Sequence, residues 1–134
     1  MSTTQPIRSK QLLHDFKEYF LTKQPNSRNY TLILIGLNTA LRINDILHLT
    51  WGDVYCTEHS RFYTHLLITE KKTEKETRIL INRELQETLL SYRKTQPSIA
   101  DTDYLFPSPR KADSPLSRYQ AYRIVRKAAE ALSL

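Results

Sequence analysis

Cysteine and glycine are scarce in this chain of 134 residues, which has one cysteine and two glycines. The lone Cys56 excludes an internal disulfide and leaves no cysteine cluster for zinc. So few glycines favour helices over a glycine-punctuated sheet. The longest apolar run, 32–37, is interrupted by Gly36 and is too short to cross a bilayer. The polar start, 1–10, lacks the apolar core of a signal peptide, so we expect a cytoplasmic protein without a membrane partner.

Positive charge exceeds negative charge, with 20 Lys and Arg against 14 Asp and Glu, a formal charge of +6 and a pI of about 9.5. A basic surplus of this size makes a polyanion such as nucleic acid the first partner to consider. Solubility alone would also explain the surplus, so the positions of the charges must decide between the two.

Apolar residues recur at helical spacing over 9–22, which predicts a first helix. After a break at Pro25, either Asn26 or Ser27 can cap a second helix, and the high apolar density of 30–40 predicts that it is buried. A short helix is expected over 43–49. The alternating pattern of 62–68 and 77–81 then predicts two strands of a β-hairpin with a lysine-rich tip.

The last third of the sequence is predicted to be helix, loop and helix. Asn82 can cap a helix that runs to about residue 96, and a loop follows over 97–115. Ser117 and Gln120 form a capping box that starts the final helix, whose buried stripe is predicted as Tyr122, Val125, Ala129 and Leu132. The fold class expected from this order is α+β, mainly helical, with a small antiparallel hairpin.

One segment, 38–54, carries a recognisable motif. Arg42 follows a small residue and a leucine, Asp45 stands three positions later, and Leu49-Thr50-Trp51-Gly52-Asp53 closes the segment. This arrangement resembles the first signature box of the tyrosine recombinases, or phage integrases. Ala40 stands where that family usually has glycine, and Asn44 where it usually has serine.

Two later stretches continue the resemblance in the same order. Residues 70–81 are similar to the family's β-hairpin, which carries a catalytic lysine near its tip. Residues 104–108 and 115–129 are similar to the segment that leads towards the second signature box. The resemblance implies an integrase-like catalytic core over 1–134, with a helical part at 8–54, the lysine hairpin at 60–82, and a helix and loop part at 83–134.

The resemblance also implies which side chains would act on DNA. Arg42 would clamp the scissile phosphate and Asp45 would hold Arg42 in place. An ordinary surface ion pair between Arg42 and Asp45 is the alternative. Lys72, with Lys71 as the rival assignment, would be the general acid towards the leaving 5′ oxygen.

Further basic residues would position double-stranded DNA, namely Lys75 on the hairpin and Arg118 and Arg123 on the final helix, whose Arg126 and Lys127 fit a solvated face equally well. No metal and no small-molecule cofactor is implied. Trp51 and the Tyr104–Phe106 island are expected to be core residues.

The family's second box, His-x-x-Arg, and its nucleophilic tyrosine have no counterpart up to Leu134. We therefore expect a catalytic core that is truncated at its C-terminus and does not cleave DNA by itself. Ile124, Val125 and Leu132 would then be left bare, which predicts self-association or docking to a recombinase partner.

Two other functions fit the same residues. A non-catalytic DNA-binding or regulatory module derived from an integrase would need Arg42 and Lys72 only for affinity. A helical interaction domain, whose charge serves only solubility, would bind DNA weakly and without salt dependence.

Overall fold

A computed structural model of the chain describes residues 6–23, 26–69, 73–96, 98–111 and 113–132. The fold is mainly helical with two small antiparallel hairpins, which confirms the expected α+β class. The helices are α1 (Pro6–Glu18), continued by a π-helical turn (Tyr19–Lys23), α2 (Ser27–Thr39), α3 (Ile43–Leu47), α4 (Trp51–Val54), α5 (Arg83–Lys94) and α6 (Arg118–Ala131). The strands are β1 (Tyr55–Cys56), β2 (Arg61–Phe62), β3 (His65–Thr69) and β4 (Glu76–Leu80).

Helix α2 is the centre of the core. Its five successive residues from Thr31 to Ile35 are all buried, as the apolar density of this segment predicts. The side-chain oxygen of Asn26 accepts a hydrogen bond from the Asn29 N–H at 2.9 Å, so Asn26 is the cap and Ser27 is the first helical residue. Helices α1 and α5 both pack against α2.

The lysine-tipped hairpin forms as predicted, but its first strand is shorter than the alternating pattern suggests. Strands β3 and β4 pair from His65 with Leu80 to Thr69 with Glu76. Phe62 belongs instead to a separate hairpin, in which it pairs with Tyr55. The Tyr63 N–H donates to the Val54 carbonyl at 2.9 Å, which fixes the chain between the two hairpins and interrupts the predicted strand.

The described residues of the loop before α6, 98–111 and 113–116, which we call the strap, are hydrogen-bonded to the segment 49–52 and to α5. Its backbone is hydrogen-bonded to Leu49, Trp51 and Gly52 at 2.9–3.0 Å. The Tyr92 hydroxyl of α5 donates to the Leu105 carbonyl, and burial raises the pKa of Tyr92 to about 12. Leu105 and Phe106 are fully buried, as predicted for the core island, whereas Tyr104 is only half-buried.

Helix α6 begins at its predicted cap but buries a different face. Ser117 and Gln120 form the capping box, whereas Tyr122 is 53% and Val125 is 38% exposed, so the predicted stripe is wrong for both. Ala121 and Ala128, two helical turns apart, are the residues that are fully buried. Small side chains let α6 approach the core closely, and a prediction weighted towards large apolar residues misses that face.

Candidate functional site

Arg42 lies in the connection between α2 and α3, where its backbone is fixed and its side chain is exposed. Its carbonyl accepts the hydrogen bond from the Ile46 N–H at 3.1 Å, so Arg42 is the cap residue of α3. The preceding Leu41 is half-buried against the core and donates its N–H to the Thr39 hydroxyl. The guanidinium therefore projects from an anchored turn rather than from a loose loop.

The turn before Arg42 depends on an unusual backbone conformation. Ala40, the C-cap of α2, has φ 54° and ψ 16°, in the left-handed region. A side chain with a Cβ is disfavoured there, and glycine is the usual solution at the end of a helix. The family's habitual glycine at this position thus has a geometric reason, which the sequence motif alone does not state.

Replacing Ala40 by glycine is expected to stabilise the chain by about 1 kcal/mol. The change removes the steric cost of a Cβ in the left-handed region, about 1–2 kcal/mol. Part of this gain is lost because glycine has more conformational entropy in the unfolded chain. Thermal unfolding followed by circular dichroism would register this as a higher Tm. Ala131→Gly, in the last turn of α6, is the matched control and should lower the Tm. A destabilising Ala40→Gly would contradict the proposed strain.

Arg42, the cap of α3, and Asp45, in the first turn of that helix, are close in sequence but are not joined by a side-chain interaction. Within the described ranges no ion pair or side-chain hydrogen bond joins Arg42 to Asp45, and the one ion pair seen there is His59 with Glu58. Asp45 is half-buried in the first turn of α3. The surface ion pair is therefore not formed in this structure, and the supporting role of Asp45 stays a prediction.

The lysine hairpin is joined at its base to the end of α2. The Asn82 amide nitrogen donates to Asn38 Oδ1 at 3.2 Å, while Asn82 Oδ1 accepts from the Leu85 N–H and caps α5. Asn38 precedes Arg42 by four residues, so this amide pair connects the strand end of the hairpin to the helix that leads into Arg42. The cap was predictable, but a contact across 44 residues of sequence was not.

Of the predicted hairpin lysines, only Lys75 can be placed. Lys75 is exposed directly before β4, where its N–H donates to the Thr73 hydroxyl, and the neighbouring Glu74 has a left-handed backbone with φ 56°. Lys71 and Lys72 lie outside the described residues. The choice between them as general acid stays a prediction.

The predicted DNA-positioning arginines both lie on α6 and are both exposed. Arg118 is the first residue of the helix, and Arg123 follows in its second turn. The Arg123 guanidinium carbon is 5.8 Å from the centre of the Tyr119 ring. Neither arginine forms an ion pair with any residue that the structure describes.

The carboxylates, histidines and cysteine of the described ranges do not gather into a group of three or more that could hold a metal ion. Among the described helices, none combines the length and the apolarity needed to cross a membrane. The expected apolar patch is also smaller than predicted, because Ile124 and Leu132 are half-buried against the core and only Val125 is exposed.

Comparison with known proteins agrees with this arrangement. The model of the phage integrase family matches residues 5–134. The probable integrase/recombinase YoeC of Bacillus subtilis (strain 168) is 42% identical over 134 residues, which are all of this chain and 67% of YoeC.

Two solved structures share the fold. The crystal structure of XerA recombinase matches with a TM-score of 0.70 and 18% identity over the whole chain, and the Tn1549 transposon integrase in complex with circular intermediate DNA matches with a TM-score of 0.57 and 19% identity over 97% of it. This chain spans 44% and 45% of the length of the chains in those two structures. This chain belongs to the phage integrase family, and its fold is that of part of a tyrosine recombinase catalytic domain.

Proposed function

We propose that this chain is the part of a site-specific recombinase that holds the scissile phosphate of double-stranded DNA during integration or recombination. The observation that carries the proposal is the state of Arg42: its backbone is anchored at the α2–α3 turn, and its exposed charge has no carboxylate partner among the described residues. A surface arginine kept for solubility needs no such anchoring. An arginine that must meet a phosphate benefits from it, because less freedom is lost on binding.

Strand exchange in this family transfers a phosphoryl group from a 5′ oxygen of DNA to a tyrosine hydroxyl and back. Negative charge grows on the two non-bridging oxygens, and a planar guanidinium can donate two parallel hydrogen bonds to them. Arg42 is proposed for this clamp. Lys72, or Lys71, is proposed to give a proton to the leaving 5′ oxygen, which would otherwise depart as an unstable alkoxide.

The remaining basic side chains are proposed to bind the DNA backbone away from the reacting phosphate. Lys75 stands on the hairpin that the Asn38–Asn82 pair connects to α2, and Arg118 and Arg123 stand on α6. Contacts of this kind set the register of a duplex without reading its sequence. Asp45 is proposed to orient the Arg42 turn when DNA is bound.

The proposal places the protein in the cytoplasm with double-stranded DNA, and it invokes no metal and no cofactor. Self-association, or docking to a recombinase partner, stays a prediction. Such a contact would be sought on the surface of α6 that carries the exposed Val125 and the exposed ring of Tyr122.

Arg42→Ala should weaken binding of the chain to a duplex oligonucleotide by about 10-fold or more, as expected for loss of a hydrogen-bonded charge worth about 1.5–3 kcal/mol. Fluorescence anisotropy at several salt concentrations measures this, and the slope of log K against log salt should fall by about 1. Arg42→Lys should recover the slope but only part of the affinity, because an ammonium cannot make the paired hydrogen bonds.

Lys94→Ala is the matched control. It also removes one exposed positive charge, but at the end of α5 remote from the capping residue Asn82. Its binding should stay within about twofold of the unaltered chain. Equal losses in the Arg42 and Lys94 variants would show that Arg42 contributes only to net charge, and the proposal would fail.

A further inference from the structure

A second basic site lies between the first turn of α2 and one side of α6. It is a cleft of about 530 Å³. Four cationic side chains and a single carboxylate line it: Arg28, Arg123, Arg126, Lys127 and Glu130. None of these five forms an ion pair within the described part of the chain. Four cations left unpaired around one concave surface indicate an anionic occupant.

The cleft is separate from the Arg42 turn. Arg28 lies in the first turn of α2 and Arg42 beyond its last, and a helix rises 1.5 Å per residue, so the two are on the order of 17 Å apart along the helix. Arg28 is also held in place, since its Nε donates to Asn29 Oδ1 at 2.9 Å. A ligand in the cleft therefore does not need to occupy the phosphate site.

An aromatic ring stands at the wall of the cleft. Tyr119 lines it and is 71% exposed, the highest exposure of any large apolar or aromatic side chain described. The Arg123 guanidinium lies over one face of this ring, 5.8 Å from its centre, and the high exposure of the ring shows that most of its surface is still accessible. An open ring among cations is the combination by which proteins hold single-stranded nucleic acid: cations bind the phosphates and a base stacks on the ring.

The chemistry of the lining favours nucleic acid over an acidic protein segment. The centre of a protein–protein interface is depleted of charge and rich in apolar contacts. Here Ile124 and Pro109 are the only aliphatic side chains in the lining, and charge dominates. A duplex would present phosphates but keep its bases paired inside, so only an unpaired base can reach the Tyr119 ring.

We propose that the cleft between α2 and α6 binds unpaired DNA, with Arg28, Arg126 and Lys127 on the phosphates and Tyr119 stacked on a base. Strand exchange separates nucleotides from their first partners, and the cleft would hold such a strand near the duplex site. The proposal extends the DNA-binding function proposed above, but it does not depend on Arg42.

The test compares three labelled probes in anisotropy titrations of the full chain at one salt concentration: a single strand of thymidines, an abasic strand of equal length, and a duplex. The unaltered chain should bind the thymidine strand more tightly than the abasic one. Tyr119→Ser should bind the thymidine strand on the order of 10-fold less tightly, and its affinities for the abasic strand and the duplex should not change. Tyr119→Phe keeps the ring and should restore binding.

Tyr63→Ser is the matched control and should bind the thymidine strand like the unaltered chain. Tyr63 is also an exposed tyrosine, at 43%, but it lies outside the cleft. Since Tyr119 is more exposed still, its variants should keep the melting temperature of the unaltered chain.

Equal binding of the thymidine and abasic strands would overturn the proposal, and so would full competition by polyglutamate, which would assign the cleft to an acidic peptide. Loss of duplex binding in Arg42→Ala without loss of thymidine-strand binding would separate the two sites.

Discussion

Phe106→Ala is expected to lower the free energy of unfolding by about 3–5 kcal/mol. The ring is fully buried and stacks on Tyr92, with ring centres 6.1 Å apart and planes at 12°. Its removal leaves a cavity where the strap, α5 and the start of α6 converge, since the Phe106 carbonyl also accepts the Leu116 N–H at 2.7 Å. Because a domain of this size has a total stability of about 5–15 kcal/mol, this loss removes a large part of it.

Urea unfolding followed by circular dichroism measures the change. Phe106→Leu, which keeps most of the apolar volume, should lose much less, and Tyr122→Ala on the exposed face of α6 should lose almost nothing. If Phe106→Ala unfolds at the urea concentration of the unaltered chain, the strap is not part of the core.

Leu89→Ala is expected to cost about 2–5 kcal/mol. Leu89 is fully buried on the face of α5 that packs against α2, the central helix. Removal of most of its side chain leaves a cavity, and the cost depends on how far the surrounding residues relax into it. The loss should appear in the same urea experiment with an unchanged slope, since the surface exposed on unfolding is nearly the same.

Leu90→Ala makes the identical chemical change one residue later, at a side chain that is 42% exposed. It should cost less than about 1 kcal/mol, because little apolar surface is returned to water. Similar losses for the two leucines would mean that α5 is rotated about its axis relative to the described packing.

Local signals in the sequence were sufficient for the starts of α2, α5 and α6, whereas α1 begins before its predicted range and α4 was not predicted. Asn26, Asn82 and Ser117 are all capping residues, and each acts on a backbone N–H three positions later. A cap involves only the chain within one turn, so no tertiary information is needed to predict it. The buried centre of α2 was predictable for a related reason, since a segment that is apolar on every side has no solvent face.

Features that depend on tertiary packing could not be predicted from such local signals. The buried side of α6 is set by how closely the helix must approach the core, which selects Ala121 and Ala128 over the larger Tyr122 and Val125. The division of the predicted strand at Tyr63 depends on a hydrogen bond to Val54, in a different element. Neither the buried side of α6 nor the interruption at Tyr63 can be recognised from the apolar periodicity of the segment itself.

The candidate site also combines features that are visible in the sequence with features that only the folded chain shows. Arg42 could be proposed as a site residue from the sequence because its motif lies within one continuous segment, and its role stays a prediction. The left-handed Ala40 before it, and the Asn38–Asn82 contact between α2 and the hairpin, emerge only from the folded chain. Arg28 and Tyr119 are 91 positions apart in sequence, so their shared cleft could not be predicted from the spacing of either residue.

The main-chain hydrogen bonds between the strap and residues 49–52 determine which positions of this sequence can vary. Trp51, Gly52 and Leu105 take part through main-chain N–H groups, which every residue except proline possesses. Substitutions at Thr102 can therefore accumulate while these bonds persist, whereas Asp101 is more constrained because its Oδ1 accepts a hydrogen bond from the Thr57 hydroxyl at 2.7 Å. Gly52 is the exception, because a Cβ there would lie 3.0 Å from the carbonyl oxygen of Asp101. In a set of relatives, we expect the exposed positions of the strap to vary in composition, while the buried Leu105 and Phe106 stay apolar and the position facing Asp101 stays free of any side chain.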